Sequence, residues 1–203
     1  MDSLEKLSEI FKKFPGIGPR QAKRFVYHLL QEKHEDISDL INSISELRKG
    51  VSLCTKCYRY FENKNKEKII PCSICLNQTR DQNILMIVAK DIDLQAVEKS
   101  RAYNGLYFVL GNTVPILEEE PHKKIRQGEL LDRIKELQLK EIILATSVNT
   151  EGEHTAFYLT TLLKSHAEQK GFKITTLGRG LSTGTELEYS DGDTLKSALE
   201  NRH

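Results

Sequence analysis

Two CxxC pairs, Cys54-Thr-Lys-Cys57 and Cys72-Ser-Ile-Cys75, are separated by fourteen residues, and together they hold all four cysteines of the chain. Thiolates are soft ligands, and each CxxC knuckle turns two of them toward one point. An insert of this length can form a small hairpin that brings the second knuckle to face the first. The spacing predicts one tetrahedral ion, read as zinc, held by Cys54, Cys57, Cys72 and Cys75. Iron can occupy the same four thiolates. Four protein ligands leave no position for water, so the predicted role is structural. Ligation of this kind supplies about 10–16 kcal/mol of apparent folding free energy to a segment too small for a core of its own. The competing readings are two disulfides or a redox pair. Against them stand the absence of a secretory leader and the fact that a thioredoxin-like function needs only one CxxC in a βαβ context.

Carboxylates are the other side chains placed to do chemistry. Asp91 and Asp93 follow an apolar run at 84–89, and Glu151 and Glu153 follow another at 141–146. The carboxyl ends of such strands are where a metal-dependent phosphoryl-transfer site would sit. Lys90 interrupts the first group, and Thr146-Ser147-Val148-Asn149-Thr150 supplies hydroxyls and an amide where further acids would be needed. The set is thin for a two-metal site, and Asp93 and Glu153 read more simply as acids at helix amino termini. The six histidines form no HxH or HExxH pattern, and Gly178–Gly184 lacks the Gly-Lys-Ser/Thr ending of an ATP-binding loop.

Phe14-Pro15-Gly16-Ile17-Gly18-Pro19-Arg20-Gln21-Ala22 has the character of a helix-hairpin-helix DNA-binding element. Gly16 and Gly18 permit a tight turn and let backbone amides approach phosphate oxygens at the start of the next helix. Arg20, Lys23 and Arg24 add positive charge beside those amides. Such contacts go to the DNA backbone, so no base specificity is expected. Ile17 is predicted to plug the core under the turn.

The elements that must position these residues follow from apolar periodicity. Helices are predicted over 3–13, from Pro19 through Leu30, and over 37–47. Beyond residue 84 short apolar runs alternate with amphipathic stretches, the pattern of a parallel sheet with crossover helices. Strands are predicted at 84–89, 106–110, 141–146 and 173–177, and helices near 93–101, 129–137, 155–170 and 193–201. The loop at 111–128, with Pro115, Pro121 and Glu118-Glu119-Glu120, is the least regular part. The longest apolar run, Ile84–Ala89, is far too short to span a bilayer, and a reducing cytoplasm is the expected compartment. Net charge is +1. Residues 1–80 carry 15 basic and 10 acidic side chains, whereas residues 81–203 carry 15 and 19. A basic first half points to a polyanion partner, and an acidic second half to a different one.

Across nearly its full length the chain resembles the RecR family of recombination-repair proteins. The resemblance is carried by Pro15–Arg20 with Tyr27-His28-Leu29-Leu30, by the four cysteines followed by Thr79-Arg80-Asp81, and by Asp93–Glu98 and Gly105–Gly111. It continues through Leu144-Ala145-Thr146 with Glu151–Ala156, and Gly180-Leu181 through Leu187-Glu188-Tyr189 to Asp193-Thr194-Leu195. It implies a multidomain α+β chain: a helix-hairpin-helix domain over 1–52, a four-cysteine zinc finger over 53–78, an α/β Toprim domain with a mostly parallel sheet over 79–176, and a short carboxy-terminal helical segment for oligomerisation over 177–203.

The family forms ring-like oligomers, dimers and commonly tetramers, around duplex or gapped DNA. It acts with RecO, and in some systems RecF, to load the recombinase on gapped DNA coated with single-strand-binding protein. It has no attributed turnover, so the resemblance implies a non-enzymatic clamp. The rivals are a Toprim-type nuclease or phosphotransferase using Asp91, Asp93 and Glu151, and a zinc-stabilised adaptor that does not touch DNA. Glu151 and Glu153, within the matched stretch, are expected to contribute to RecO docking. The chain departs from the family pattern at Ala89-Lys90, where glutamate is usual, and at Ser147-Val148, where Asn-Pro is usual. It also has Phe108 in place of histidine, and lacks glycines in 115–120. A fold tolerates such changes more easily than an interface does.

Overall fold

Leu4, Leu7, Ile10 and Phe11 recur at helical spacing and form α1 (Ser3–Phe11). Asp2 caps it, its carboxylate accepting from the Glu5 amide at 2.7 Å. The Pro15-Gly16 turn leads into α2 (Pro19–Leu29), which buries Ala22 and Val26. The rings of Phe14 and Phe25 lie 6.0 and 5.6 Å from that of Phe11. The third helix, α3 (His34–Gly50), is longer than its apolar pattern predicts and buries no residue. Leu40, Ile41, Ile44 and Leu47 are exposed along it.

These elements come from a computed structural model that describes residues 1–63, 70–178, 180, 181, 184 and 186–200. Part of the segment between the two cysteine pairs, 64–69, lies outside the described residues, as do Arg179, Ser182 and Thr183 of the glycine-rich stretch. The chain divides into two compact units. One is Met1–Val51 with Glu62 and Asn63, and the other is Ser52–Phe61 with the described residues from Ile70 onward.

In the second unit the order of elements is β1 (Val51–Leu53, which begins at the boundary), β2 (Tyr60–Glu62), α4 (Ser73–Leu76), β3 (Asp81–Val88), α5 (Asp91–Ser100) and β4 (Gly105–Val109). Then come α6 (Gln127–Glu136), β5 (Glu141–Ala145), α7 (Thr150–Lys170), β6 (Lys173–Thr176) and α8 (Gly192–Glu200). Strands β1 and β2 form a two-stranded sheet. They flank the first cysteine pair, β2 returning to β1 across the Cys54–Cys57 turn, while the hairpin expected between the two pairs falls largely on residues 64–69, outside the described residues.

Strands β3 to β6 make a parallel sheet in the order β4-β3-β5-β6. Its register keeps like faces together, Leu85 lying beside Leu106 and Ile142, and Ile87 beside Phe108 and Leu144. Alternate residues serve two cores. Leu85, Ile87, Leu106 and Phe108 pack with Leu130 and Ile134 of α6 and with Leu159 and Leu163 of α7. Met86, Val88, Tyr107 and Val109 face the other way, against Leu94 of α5 and against Cys54, Cys57, Cys72 and Ile74. A parallel sheet needs both faces covered. Here the cysteine-bearing segment, together with α5, is the second cover.

The predicted strands are present within three residues of their expected ends. Helix α7 starts earlier than the apolar pattern indicates because Asn149 caps it, its side-chain oxygen accepting from the Gly152 amide at 2.8 Å. The loop before the helix folds back so closely that a Cβ on Gly152 would lie 2.0 Å from the Ser147 carbonyl oxygen. Among the described residues, no helix is long and apolar enough to cross a membrane.

Gly152→Ala is therefore expected to cost about 1–3 kcal/mol by overpacking. Gly128→Ala, in α6 where a Cβ would meet nothing within 4 Å, should be neutral or stabilising by up to about 1 kcal/mol. Urea unfolding midpoints of the two variants check the contrast.

Candidate metal centre and nucleic-acid interface

The first knuckle is a closed turn. The Cys54 amide donates to the Arg59 carbonyl at 2.9 Å, and the Tyr58 amide donates to the Cys54 carbonyl at 3.1 Å. Tyr58 takes the left-handed conformation, φ 59°, needed to finish it. The second knuckle opens α4, where the Leu76 amide donates to the Cys72 carbonyl at 3.0 Å. These turns bring four sulfurs within 4.8 Å of one another, Cys54 to Cys75 at 3.8 Å and Cys57 to Cys72 at 3.6 Å.

A disulfide would need about 2.0 Å. Sulfurs about 2.3 Å from a central tetrahedral ion stand about 3.8 Å apart, so the cluster has the dimensions of a four-thiolate metal site. Amides of Lys56, Cys57 and Cys72 point at Cys54 Sγ, at 3.4, 3.5 and 3.2 Å. The Cys54 thiol is held below the usual thiol range, chiefly by its hydrogen bond with Cys57 and then by those with Cys72 and Cys75. Cys54, Cys57 and Cys72 are fully buried. Among the described residues this is the one cluster of three or more His, Cys, Asp or Glu side chains placed to hold a metal.

Bonds from distant parts of the unit fix the knuckle to the sheet. The Val109 amide donates to the Cys57 carbonyl at 2.8 Å. Arg126 Nη1 donates to the carbonyls of Tyr58 and Val109, at 3.1 and 2.9 Å, and its guanidinium lies 5.7 Å from the Tyr58 ring centre. The Tyr58 ring sits 5.4 Å from that of Phe108, an apolar contact between the sheet and the finger. Lys56 pairs with Glu136 at 2.8 Å. On the far side of the finger, Arg80 binds Glu98 at 2.6 Å and the Gly105 carbonyl at 3.0 Å. Burial pushes the neighbouring phenols of Tyr103 and Tyr107 up, keeping them neutral. Nothing in the spacing of Arg126 or Glu136 announces these roles. Arg80, directly after the finger, is the one with a positional signal.

The carboxylates at the strand ends are engaged separately. Asp91 Oδ1 accepts from the Tyr60 amide of the finger at 2.7 Å. Asp93, in the first turn of α5, reaches back to accept from the Lys90 amide at 2.9 Å, the amino-terminal role predicted for it. Glu151 accepts from the Thr113 hydroxyl at 3.0 Å. Glu153 is exposed in the first turn of α7, but the cap there is Asn149. The signal for that cap was an asparagine directly before an acidic first turn. Asp91, Asp93 and Glu151 do not form a metal-holding cluster among the described residues. Ala89 is buried and Lys90 exposed.

In the first unit, Gly16 is left-handed, with φ +76°. Gly18 occupies the N-cap of α2 at φ −82° and ψ 171°, an extended conformation open to any residue. A Cβ there would meet nothing within 4 Å. No contact among the described residues requires glycine at this position. With no side-chain cap and Pro19 in the first turn, α2 presents free amide groups at its amino end. Arg20, Lys23 and Arg24 are exposed on the turns that follow. Ile17 is half-buried rather than a sealed plug, and it lines an apolar groove with Phe11, Phe14 and Phe25.

A four-cysteine finger laid on a parallel Toprim sheet, in a chain that begins with a glycine-turned helical hairpin, defines a multidomain class built to handle DNA. Family models agree: one for the RecR helix-hairpin-helix matches residues 4–48, one for the Toprim domain 83–177, and one for the RecR C-terminal region 180–203. Proteins named "Recombination protein RecR" are similar over 99% of this chain and 96% of their own length. They are 36% identical in Staphylococcus haemolyticus, 38% in Desulfatibacillum aliphaticivorans and 35% in Staphylococcus aureus. The chain belongs to the RecR family, whose role is in DNA recombination and repair.

One bound metal ion per chain is expected by elemental analysis of protein purified without added metal. Cys57→Ser should lose that ion and lower the unfolding temperature, because an apo cluster leaves the buried knuckle without its cross-link. A Cys57→Ser variant with undiminished metal content would exclude ligation by this residue.

Proposed function

We propose that the chain is a non-enzymatic DNA-binding clamp of recombinational repair. It acts with RecO, and with RecF where the cell has it, to load the recombinase on gapped DNA coated with single-strand-binding protein. The observation that carries this reading is the amino end of α2. Gly18 answers no packing need within the chain, the first-turn amides are uncapped, and Arg20, Lys23 and Arg24 stand exposed beside them. Phosphate approaching those amides is the simplest use of such a site.

Assembly into a ring is supported by α3, a 17-residue helix that buries nothing and exposes Leu40, Ile41, Ile44 and Leu47. An apolar stripe of that extent calls for a covering surface. The ion is zinc, structural in role, and it keeps the finger seated on the sheet. The functional divisions are those of the sequence: hairpin 1–52, finger 53–78, Toprim domain 79–176 and oligomerisation segment 177–203. The absence of turnover rests on the separate engagement of Asp91, Asp93 and Glu151, which leaves no shared carboxylate cluster for a two-metal mechanism. The protein works in the cytoplasm, at the nucleoid.

Binding to duplex DNA should fall with salt at a log–log slope of about −0.9 per phosphate neutralised. Arg20→Ala with Arg24→Ala is expected to flatten that slope. Gly18→Ala should weaken binding with only a small loss of stability, about 1 kcal/mol from the poorer N-cap, since its Cβ meets nothing within 4 Å among the described residues. Fluorescence-anisotropy titrations across salt concentrations read both. An unchanged slope in the double variant would remove the hairpin from the DNA contact and favour the adaptor reading.

Glu151 and Glu153, together on the first turn of α7, form part of the RecO-docking surface in this reading. Reversing both charges to lysine should weaken capture of RecO at least several-fold while leaving the oligomeric mass unchanged. Full-strength capture would move the docking surface elsewhere.

A further inference from the structure

The basic face of α2 continues past its arginines. Arg20, Lys23, Arg24 and Tyr27 are spaced i, i+3, i+4, i+7 and lie along one stripe. Tyr27 is 57% exposed, and among the described residues it has no ring or cation partner. It forms one wall of a groove between α1 and α2 of about 520 Å³, within the range of pockets that take small organic groups.

Leu4, Ser8 and Val26 line the same groove, and Lys23 stands where it meets the basic stripe. Val26 is buried, and Ser8, at 7% exposure, has no side-chain hydrogen bond to another described residue. The α1 side carries Asp2, Glu5 and Glu9, the last paired with Lys12 at 2.6 Å, and the two unpaired acids would repel a phosphate. The groove is thus apolar and aromatic within, acidic on one edge and basic on the other. That asymmetry fits a nucleic-acid strand whose backbone follows the basic stripe and whose base turns inward. Carboxylates accept hydrogen bonds from base amino groups, and a hydroxyl serves either a donor or an acceptor on a base edge. Duplex DNA offers no such base, because its bases are paired and stacked.

We propose that Tyr27 stacks an unpaired base of single-stranded DNA in the α1–α2 groove, so that the hairpin engages the single-stranded part of a gap as well as duplex phosphates. This rests on the reading of the hairpin as a DNA contact and adds a second strand class to it. Stacking on an aromatic ring is tolerant of sequence and little affected by salt, unlike phosphate neutralisation.

The test titrates the full-length protein with three labelled probes: oligothymidine, a gapped duplex and an unbroken duplex. Tyr27→Ala should weaken oligothymidine binding by roughly 5- to 150-fold, the range for one stacked base, with the salt slope unchanged. Gapped-duplex binding should weaken in the same direction, and unbroken-duplex binding should stay as it was. Tyr27→Phe, which keeps the ring, should bind like the parent protein. Undiminished oligothymidine binding by Tyr27→Ala would overturn the proposal, as would an equal loss on all three probes. A changed oligomeric mass of Tyr27→Ala by light scattering would also overturn it, making the groove an interface between copies. The Arg20→Ala/Arg24→Ala variant is titrated in parallel. If it binds unbroken duplex normally, the hairpin reading fails, and the oligothymidine titration of Tyr27→Ala still decides the groove on its own.

Discussion

A parallel sheet must be covered on both faces, and in this chain one cover is held together by sulfur. Helices α6 and α7 close one side of the sheet in the ordinary way. On the other, α5 contributes Leu94, and the remaining area over Met86, Val88, Tyr107 and Val109 falls to the two cysteine knuckles. The knuckles have little apolar bulk of their own, and three buried thiols and a half-buried one with no ion would be a poor substitute for a helix. A metal held by the four cysteines would supply the missing cohesion. The finger is therefore best understood as a layer of the sheet unit, and metal loss should loosen the sheet face along with the finger.

This arrangement also explains what has become of the strand ends. In an open α/β sheet the crevice beyond the carboxyl ends, where the order of strands reverses, is the usual place for chemistry. Here that reversal falls between β3 and β5. Yet Asp91 is bonded to the finger backbone, Asp93 to the start of its own helix and Glu151 to Thr113. Lys90 puts a positive charge among them. Each of these three acids thus holds local structure, and Glu153 is exposed in the first turn of α7.

Much of this could be read from residue order. The CxxC spacing foretold the cluster because both knuckles are local turns, and the alternating apolar runs foretold four strands because a period of two belongs to the strand itself. Strand order and the docking of the finger could not be read. They depend on partners such as Arg126 and Glu136, which lie 68 and 80 residues from Tyr58 and Lys56. The β1–β2 pairing could not be read for a related reason. Short strands flanking a knuckle carry too few residues to show a period, and the pairing across Cys54–Cys57 is set by the turn. Asn149 was legible as a cap and was passed over in favour of the acids near it, whereas Asp93 did take the amino-terminal role expected of it.

Local rules are satisfied unevenly along the chain, and the unevenness carries information. In the sheet unit Asn149 caps α7 and Glu98 anchors Arg80, although α6 has no side-chain cap and Tyr107 Oη and Arg133 Nε are buried without a hydrogen-bond partner among the described residues. The helical unit leaves α2 uncapped, keeps a glycine that no internal contact requires, and carries a helix with an exposed apolar stripe. A stable fold does not need these features, and each has a cost when nothing is bound. Sequences depart from local consistency where something outside the chain completes the structure. By that argument the amino end of α2 and the exposed stripe of α3 are the places in the helical unit where a contact from outside the chain would be accommodated at least cost.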